Sequence, residues 1–183
     1  MSGRNPVERP WSVPVALDEI PETGHRIELT PDAATRQAIA ELAGMSGLPR
    51  LQAGFELVRH GRDAMRVVGS VSATVEQACV VTLEPIRNEI DETIDLLFTA
   101  QPDPRVDGGS EAPLAIDAEE PPEPLVDGVV DLGAVATEFL LLGIDPYPRK
   151  PDAVFDAPPA GDPAAHPFAA LAPLKKGESK NSR

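Results

Sequence analysis

The residue types that most often carry catalysis are few and scattered in this chain. Its three histidines (His25, His60 and His166) lie in different settings, and none has a cysteine or histidine partner nearby. This pattern favours surface or strand-end histidines over a catalytic triad. The glycines in the segment 44–47 are not followed by the lysine of a phosphate-binding loop. We therefore predict a protein that is not an enzyme and binds neither a metal nor a cofactor.

Three further side chains each allow a structural and a functional interpretation. Cys79 falls on the apolar side of a predicted strand, where a lone cysteine is usually a small buried hydrophobe; a catalytic thiol would need a lowered pKa and a base, for which the sequence gives no sign. Glu92 also falls on the apolar side of a strand, and we favour exposure over a buried functional acid. For Glu138 we expect a structural ion pair with Arg66 or Arg87.

The elements that must position these residues begin with a long hairpin. From Met65 to Phe98 apolar and polar residues alternate, which is the period of a half-buried strand, and Pro85 interrupts the alternation. A similar alternation precedes it. We predict strands at 48–59, 64–81 and 86–98, which form an antiparallel β-meander with the long hairpin at about 65–98.

Two helices are expected to pack on this meander. The first begins at Thr30-Pro31, with Thr30 as N-cap, and stops at Gly44. The second covers 129–143 with Asp131 as N-cap. Its other residues are almost all apolar, so we expect burial on more than one side or coverage by a partner. We predict that one apolar face of this helix consists of Leu132, Val135, Phe139 and Leu142.

Composition separates the chain into a folded part and irregular parts. Of its 21 prolines, 14 follow Phe98, and residues 99–128 carry eight acidic side chains but one basic side chain. We predict one α+β domain at 11–150, interrupted by a disordered acidic linker at about 99–128, and a Pro-rich tail at 151–183 with a short motif at 166–176. One cysteine and the lack of any long apolar run favour a cytoplasmic protein without a membrane partner. The sequence leaves the oligomeric state open.

The segment 75–85 (VEQACVVTLEP), the pair formed by Asp131-Leu132 and 138–142 (EFLLL), and the ending 166–176 (HPFAALAPLKK) follow one another in a distinctive order. Together they resemble the YceD family, called large ribosomal RNA subunit accumulation protein, over about residues 11–176. The positions that carry the resemblance most directly are Cys79, Leu83, Glu84, Pro85, Asp131, Leu132 and Glu138.

The chain departs from this family at one point. In many members, a Cys-x-x-Cys at the strand end and further cysteines after the helix resemble a metal-binding pattern. Here Thr82 occupies the second position, and 145–151 contains no cysteine. Metal binding is therefore not carried over, and we expect packing alone to hold the hairpin end.

The resemblance implies a role in the accumulation of large-subunit ribosomal RNA, through its synthesis, processing or stability. One hypothesis is a non-enzymatic factor that contacts a ribosomal protein or a large-subunit assembly intermediate, because a net charge of −14 opposes binding to phosphate. The alternative is direct binding of ribosomal RNA by local basic sites. A nuclease would need a cluster of carboxylates and a metal, which the sequence does not indicate. The candidate partner-binding residues are Phe139, Leu142, Tyr147, Arg149, Lys150, Phe168, Leu171, Lys175 and Lys176.

Overall fold

The computed structural model describes residues 9–100 and 122–155 of the chain. Its main feature is a five-stranded sheet, accompanied by two α-helices and a small two-stranded sheet. In chain order the elements are β1 (Pro14–Ala16), a 3-10 turn (Leu17–Glu19), β2 (His25–Leu29), α1 (Ala33–Leu42), β3 (Gly47–His60), β4 (Ala64–Ala78), β5 (Pro85–Thr99), β6 (Glu123–Pro124), β7 (Val129–Asp131) and α2 (Leu132–Gly143). The predicted α+β class is confirmed.

The sheet is an antiparallel meander in the order β2-β3-β4-β5, and β6 joins β5 in parallel. The long hairpin of β4 and β5 pairs without any register shift, from Ala64 opposite Thr99 to Ala78 opposite Pro85. Alternation of mostly apolar and mostly polar residues favours this regularity, because a slip by one residue would bring polar side chains to the core face. The predicted meander and its hairpin are confirmed.

One face of the sheet forms the core. In β4 the side chains of Met65, Val67 and Val71 are fully buried, whereas Arg66, Val68 and Ser70 are exposed on the other side. Helix α1 packs on β3, and α2 packs on β4 and β5. The opposite face, which we call the outer face, is polar, and ion pairs such as Arg66 with Asp95 cross between its strands.

The helix starts differ in part from the sequence prediction. The prediction of Thr30 as the N-cap of α1 was wrong: Asp32 holds that position and accepts a hydrogen bond from the Thr35 N–H at 2.8 Å. Pro31 thus precedes the helix rather than opening it. The N-cap of α2 is Asp131, as predicted, but Val129–Asp131 is a strand that pairs with β1.

Residues 122–128, which belong to the predicted linker, are described by the structure. Glu123–Pro124 pairs with the end of β5, and Val126 bridges to Val129 across a tight turn in which Asp127 has a φ of 54°. Residues 101–121 of the predicted linker lie outside the described residues. The same holds for residues 156–183 of the predicted tail, which include the motif at 166–176.

Helix α2 buries part of the predicted apolar face together with Ala136 and Leu140. Leu132, Val135, Ala136 and Leu140 are buried, and Phe139 is half-buried against the core. Leu142, the fourth residue of the predicted face, is 72% exposed. Among the residues that the structure describes, no helix is long and apolar enough to cross a membrane.

A pair of alanine substitutions on α2 tests this orientation. Leu140→Ala should lower the free energy of unfolding by about 2–5 kcal/mol, because it removes fully buried methyl groups and leaves a cavity. Leu142→Ala, the matched control, should change it by less than about 0.5 kcal/mol. Denaturant-induced unfolding measures both values, and equal effects would contradict the observed orientation of α2.

Candidate functional site

The hairpin end and the segment that follows α2 lie against each other. The Val80 N–H donates to the Pro148 carbonyl at 3.0 Å, and the Gln77 amide donates to the Asp145 carbonyl at 2.9 Å. An ion pair of 2.6 Å joins the Lys150 ammonium to the Glu84 carboxylate. The expectation that packing alone holds the hairpin end was therefore wrong. We call this contact of residues 77–84 with residues 145–150 the hairpin-end junction.

Cys79 lies at the centre of the hairpin-end junction. It is fully buried, as predicted, but it follows the end of β4 and belongs to the turn rather than to the strand. The Thr82 N–H donates to its sulfur at 3.5 Å. Hydrogen bonds from the Thr82 side chain, and then from the Lys150 backbone, lower the pKa of the Cys79 thiol to about 6. No pattern in the sequence indicates this pKa shift.

The hydrogen-bond donors around the sulfur favour its negatively charged form. Backbone and side-chain donors from both halves of the junction stabilise a thiolate, which is the same charge that a bound metal would stabilise. Among the described residues, no group of three or more His, Cys, Asp or Glu side chains could hold a metal ion. His25 and His60 are both exposed, at the start of β2 and the end of β3, and His166 lies outside the described residues.

Asp131 connects the start of α2 to the N-terminal segment. Its carboxylate accepts hydrogen bonds from the Val13 N–H and the Ser12 hydroxyl, each at 2.8 Å, and from the Ala134 N–H at 3.1 Å. Burial by itself raises the pKa of Asp131, but these hydrogen bonds outweigh it and the pKa is lowered. The next residue of the family motif, Leu132, is fully buried. This pair therefore has a structural role.

Two glycines allow α2 to lie unusually close to its neighbours. A Cβ at Gly133 would come within 2.9 Å of the Trp11 carbonyl, and a Cβ at Gly143 would come within 2.7 Å of Ile90 and Glu92 side-chain atoms. Close approach at both ends fixes the axial position of the helix. Glu92 is half-buried beside Gly143, which falls between the two alternatives considered for it.

An open groove of about 370 Å³ lies where α2 meets the end of α1 and the N-terminal segment. We call it the α1–α2 groove. Leu42 at the end of α1 is 58% exposed, and Leu142 is 72% exposed. Arg9, Thr137 and Glu138 also line it. Its apolar lining consists of Pro10, Trp11, Leu42, Ala134, Leu141 and Leu142.

The ion pair predicted for Glu138 does not form. Arg66 pairs with Asp95 and Arg87 pairs with Glu76, whereas the exposed Glu138 side chain lines the α1–α2 groove. Sequence reasoning identified Leu142 as a candidate but missed the groove. The groove could not be recognised in the sequence, because Trp11 and Leu42 come from two other parts of the chain and meet Leu142 only in the folded protein.

The remaining candidate residues occupy different places. Tyr147 and Arg149 are exposed in the segment after α2, whereas Lys150 is engaged by Glu84. Leu83, Glu84 and Pro85 are exposed at the hairpin end, where Leu83 has a φ of 59°. Four candidates lie outside the described residues: Phe168, Leu171, Lys175 and Lys176.

The fold and these sites define an α+β protein with an apolar surface groove and a hairpin end that is bound to the segment after α2. The sequence profile of the YceD family, described as large ribosomal RNA subunit accumulation protein YceD, matches residues 67–175. The match covers more than half of the chain, so the chain belongs to the YceD family, which is involved in large-subunit ribosomal RNA accumulation. It begins within β4, so residues 1–66 lie outside it. No curated protein and no solved structure matches the chain.

Titration of Cys79 tests the hairpin-end junction. The ultraviolet absorbance of the thiolate should appear with a midpoint of about 6 in the folded protein. Thr82→Val should raise this midpoint towards the ordinary thiol value of about 8.5, because it removes the side-chain donor. Thr93→Val, a threonine on β5 away from the junction, should leave it unchanged. A wild-type midpoint near 8.5 would contradict the described hydrogen bonds.

Replacement of Asp131 by asparagine tests the N-cap through its pH dependence. Because the folded-state pKa is lowered, the carboxylate stabilises the protein fully above its unfolded pKa of about 3.9, and this contribution is lost as the pH falls through the folded value. Asp131→Asn should therefore cost about 1 kcal/mol at neutral pH and little in strong acid. Unfolding by denaturant across pH measures this difference. The exposed Asp152→Asn control should show none.

Proposed function

We propose that this protein supports the accumulation of large-subunit ribosomal RNA as a non-enzymatic factor that binds a protein partner through the α1–α2 groove. The proposed partner is a ribosomal protein or a large-subunit assembly intermediate. Such a role places the protein in the cytoplasm. The observation that carries the proposal is the groove, an exposed apolar surface on a chain whose net charge is −14.

The shape and lining of the groove support a protein occupant. Exposed leucines beside a buried tryptophan and a few polar groups are typical of an interface in which apolar anchors fill a depression. Leu42 and Leu142 come from different helices, so an anchor placed between them would contact both. Glu138 adds an acidic group that a basic side chain of the partner could reach.

The charge of the chain also favours a protein partner over RNA. Phosphate binding depends on lysine and arginine, and the chain has 16 of these against 30 acidic residues. The acidic residues concentrated at 99–128 are suited to shield a basic ribosomal protein before it reaches RNA. Apolar contacts in the groove would then supply the specificity that such charge attraction lacks.

Direct RNA binding remains the second candidate, and one observation favours it. Tyr147 is 71% exposed beside the exposed Arg149, so an unpaired base could stack on the ring. The neighbouring positive charge is reduced, because Lys150 pairs with Glu84 and Asp145 lies two residues before Tyr147. Crosslinking of pure protein to ribosomal RNA that is abolished by Tyr147→Ala with Arg149→Ala would favour this candidate.

A charge placed in the groove tests the proposed function. Leu142→Glu should weaken capture of the assembly intermediate about 30-fold, as expected for the loss of an interface anchor worth ~2 kcal/mol. In cells depleted of the native protein, this variant should fail to restore the level of large-subunit ribosomal RNA. Quantified pull-down and ribosomal subunit profiles are the measurements.

The matched control is Val154→Glu, which adds the same charge at an apolar residue that is 82% exposed and does not line the groove. It should restore ribosomal RNA as the native protein does. Circular dichroism and thermal unfolding should show both variants folded. Full restoration by Leu142→Glu would exclude the groove as the docking site, and a normal subunit profile after depletion would exclude the function itself.

A further inference from the structure

The outer edge of β5 is a second surface suited to binding. Strand β5 pairs with β4 along its whole length, but within residues 9–100 and 122–155 its other edge is paired only at Phe98 and Thr99, by β6. The remainder of that edge, from Arg87 to Leu97, has no strand beside it in this part of the chain. We call it the open β5 edge.

The pairing of β6 shows which backbone groups face outward along this edge. The Thr99 carbonyl accepts a hydrogen bond from the Leu125 N–H, so the polar groups of Thr99 point away from β4. In a strand without bulges every second residue points the same way. The outward N–H and C=O groups are therefore those of Arg87, Glu89, Asp91, Thr93, Asp95 and Leu97.

This edge lacks most of the devices that keep edge strands from pairing. Natural edges are usually short or carry charged side chains, above all lysine, proline or a bulge, and of these devices β5 has acidic side chains. Strand β5 has 15 residues and an unbroken register with β4, contains no lysine, and has its one proline at its first position. The half-buried Glu92 on the opposite side of the strand is the one inward charge. A long, regular edge of this kind is a template for a further strand.

The charges along the open β5 edge determine which kind of strand could pair with it. Glu89, Asp91 and Asp95 lie on the outer face, next to one basic residue of β5, Arg87. Glu89 and Asp95 are each bound to an arginine, at 2.8 Å and 2.7 Å. Asp91 is exposed and has no ion pair with any residue in the described part of the chain. The edge therefore presents excess negative charge at its centre.

This charge argues against two other occupants. RNA phosphates would be repelled by the same carboxylates. A second copy that paired antiparallel about Asp91 would place Asp91 against Asp91, and pairing about Thr93 would place Asp91 against Asp95. Like charges directly opposite each other destabilise a strand pair. A basic strand would form hydrogen bonds with the outward backbone groups of β5 and would also neutralise the charge of its carboxylates.

We propose that the open β5 edge binds an extended, basic segment of a protein partner as an added strand, in which lysine or arginine alternates with small or apolar residues. The basic side chains would lie on the outer face beside Asp91, and the backbone would bond to the outward groups of β5. This goes beyond the proposed function, because it assigns a second surface and a partner chemistry that the groove does not require.

The first test uses synthetic peptides and the purified full chain. A peptide of about ten residues that alternates Lys and Val should bind, and its affinity should fall as salt is added. Methylation of the backbone nitrogens on every second residue removes the N–H groups of one edge of the peptide. One of the two possible methylated peptides should lose at least about tenfold in affinity, and the other should bind as the parent does. Equal binding by both would overturn the proposal.

Two pairs of protein variants locate the site. Thr93→Pro removes an outward N–H that β4 does not use, and should weaken peptide binding about tenfold or more, whereas Thr93→Ala should not. Asp91→Lys should weaken binding more than Asp91→Asn does. Thermal unfolding shows whether Thr93→Pro remains folded; if it does not, the Asp91 pair decides. Unchanged affinity in Asp91→Lys would overturn the proposal.

Hydrogen exchange in the free protein tests whether the edge is available. Amides of Asp91, Thr93 and Asp95 should exchange much faster than those of Ile90 and Ile94, and the peptide should slow them. Protection before any peptide is added would mean that another part of the chain or a second copy occupies the edge, and would overturn the proposal.

The two proposals fail in distinguishable ways. Leu142→Glu should bind the peptide as the native protein does, because the groove is a separate surface. Peptide binding at β5 together with normal ribosomal RNA after depletion would exclude the proposed function and leave the edge site standing. Absence of peptide binding, with failure of Leu142→Glu in cells, would exclude the edge site alone.

Discussion

The close contact of α2 with its neighbours is the constraint on which the other features depend. Gly133 lets the helix start lie against the backbone of Trp11, and Gly143 lets its end lie against β5. With both ends held, Leu140 faces the core, Leu142 faces outward into the groove, and the chain leaves the helix where it reaches the hairpin end. A larger residue at either glycine would move the helix and so alter the groove and the junction together.

Much of the fold could be predicted because it depends on local periodicity. The meander follows from alternation that a one-residue slip would reverse, and Asp131 follows from the preference for a side-chain acceptor at an N-cap. Thr30 was chosen as a cap for the same reason, but Asp32 lies closer to the first helical turn and can bond to Thr35. For α1, the N-cap preference predicted the right kind of residue but the wrong position.

The errors at the site have a different physical origin. A helix that is apolar on all sides does not indicate which side is buried, and in α2 the glycines and the sheet decide this. The pKa of Cys79 depends on Thr82 and Lys150, which meet only after the chain folds. The α1–α2 groove combines Trp11, Leu42 and Leu142, and no short pattern connects these. The family resemblance was confirmed over 67–175 because it rests on motifs that can be read in order.

The parallel pairing of β6 with β5 has a consequence for the acidic segment between them. Phe98 and Thr99 pair with Glu123 and Pro124 at one corner of the sheet, so the described residues on either side of the acidic sequence are held next to each other. Two parallel strands cannot be joined by a tight turn. A chain shortened to a few residues between Thr99 and Glu123 would therefore lose this pairing, together with the hydrogen bond from the Leu125 N–H to the Thr99 carbonyl.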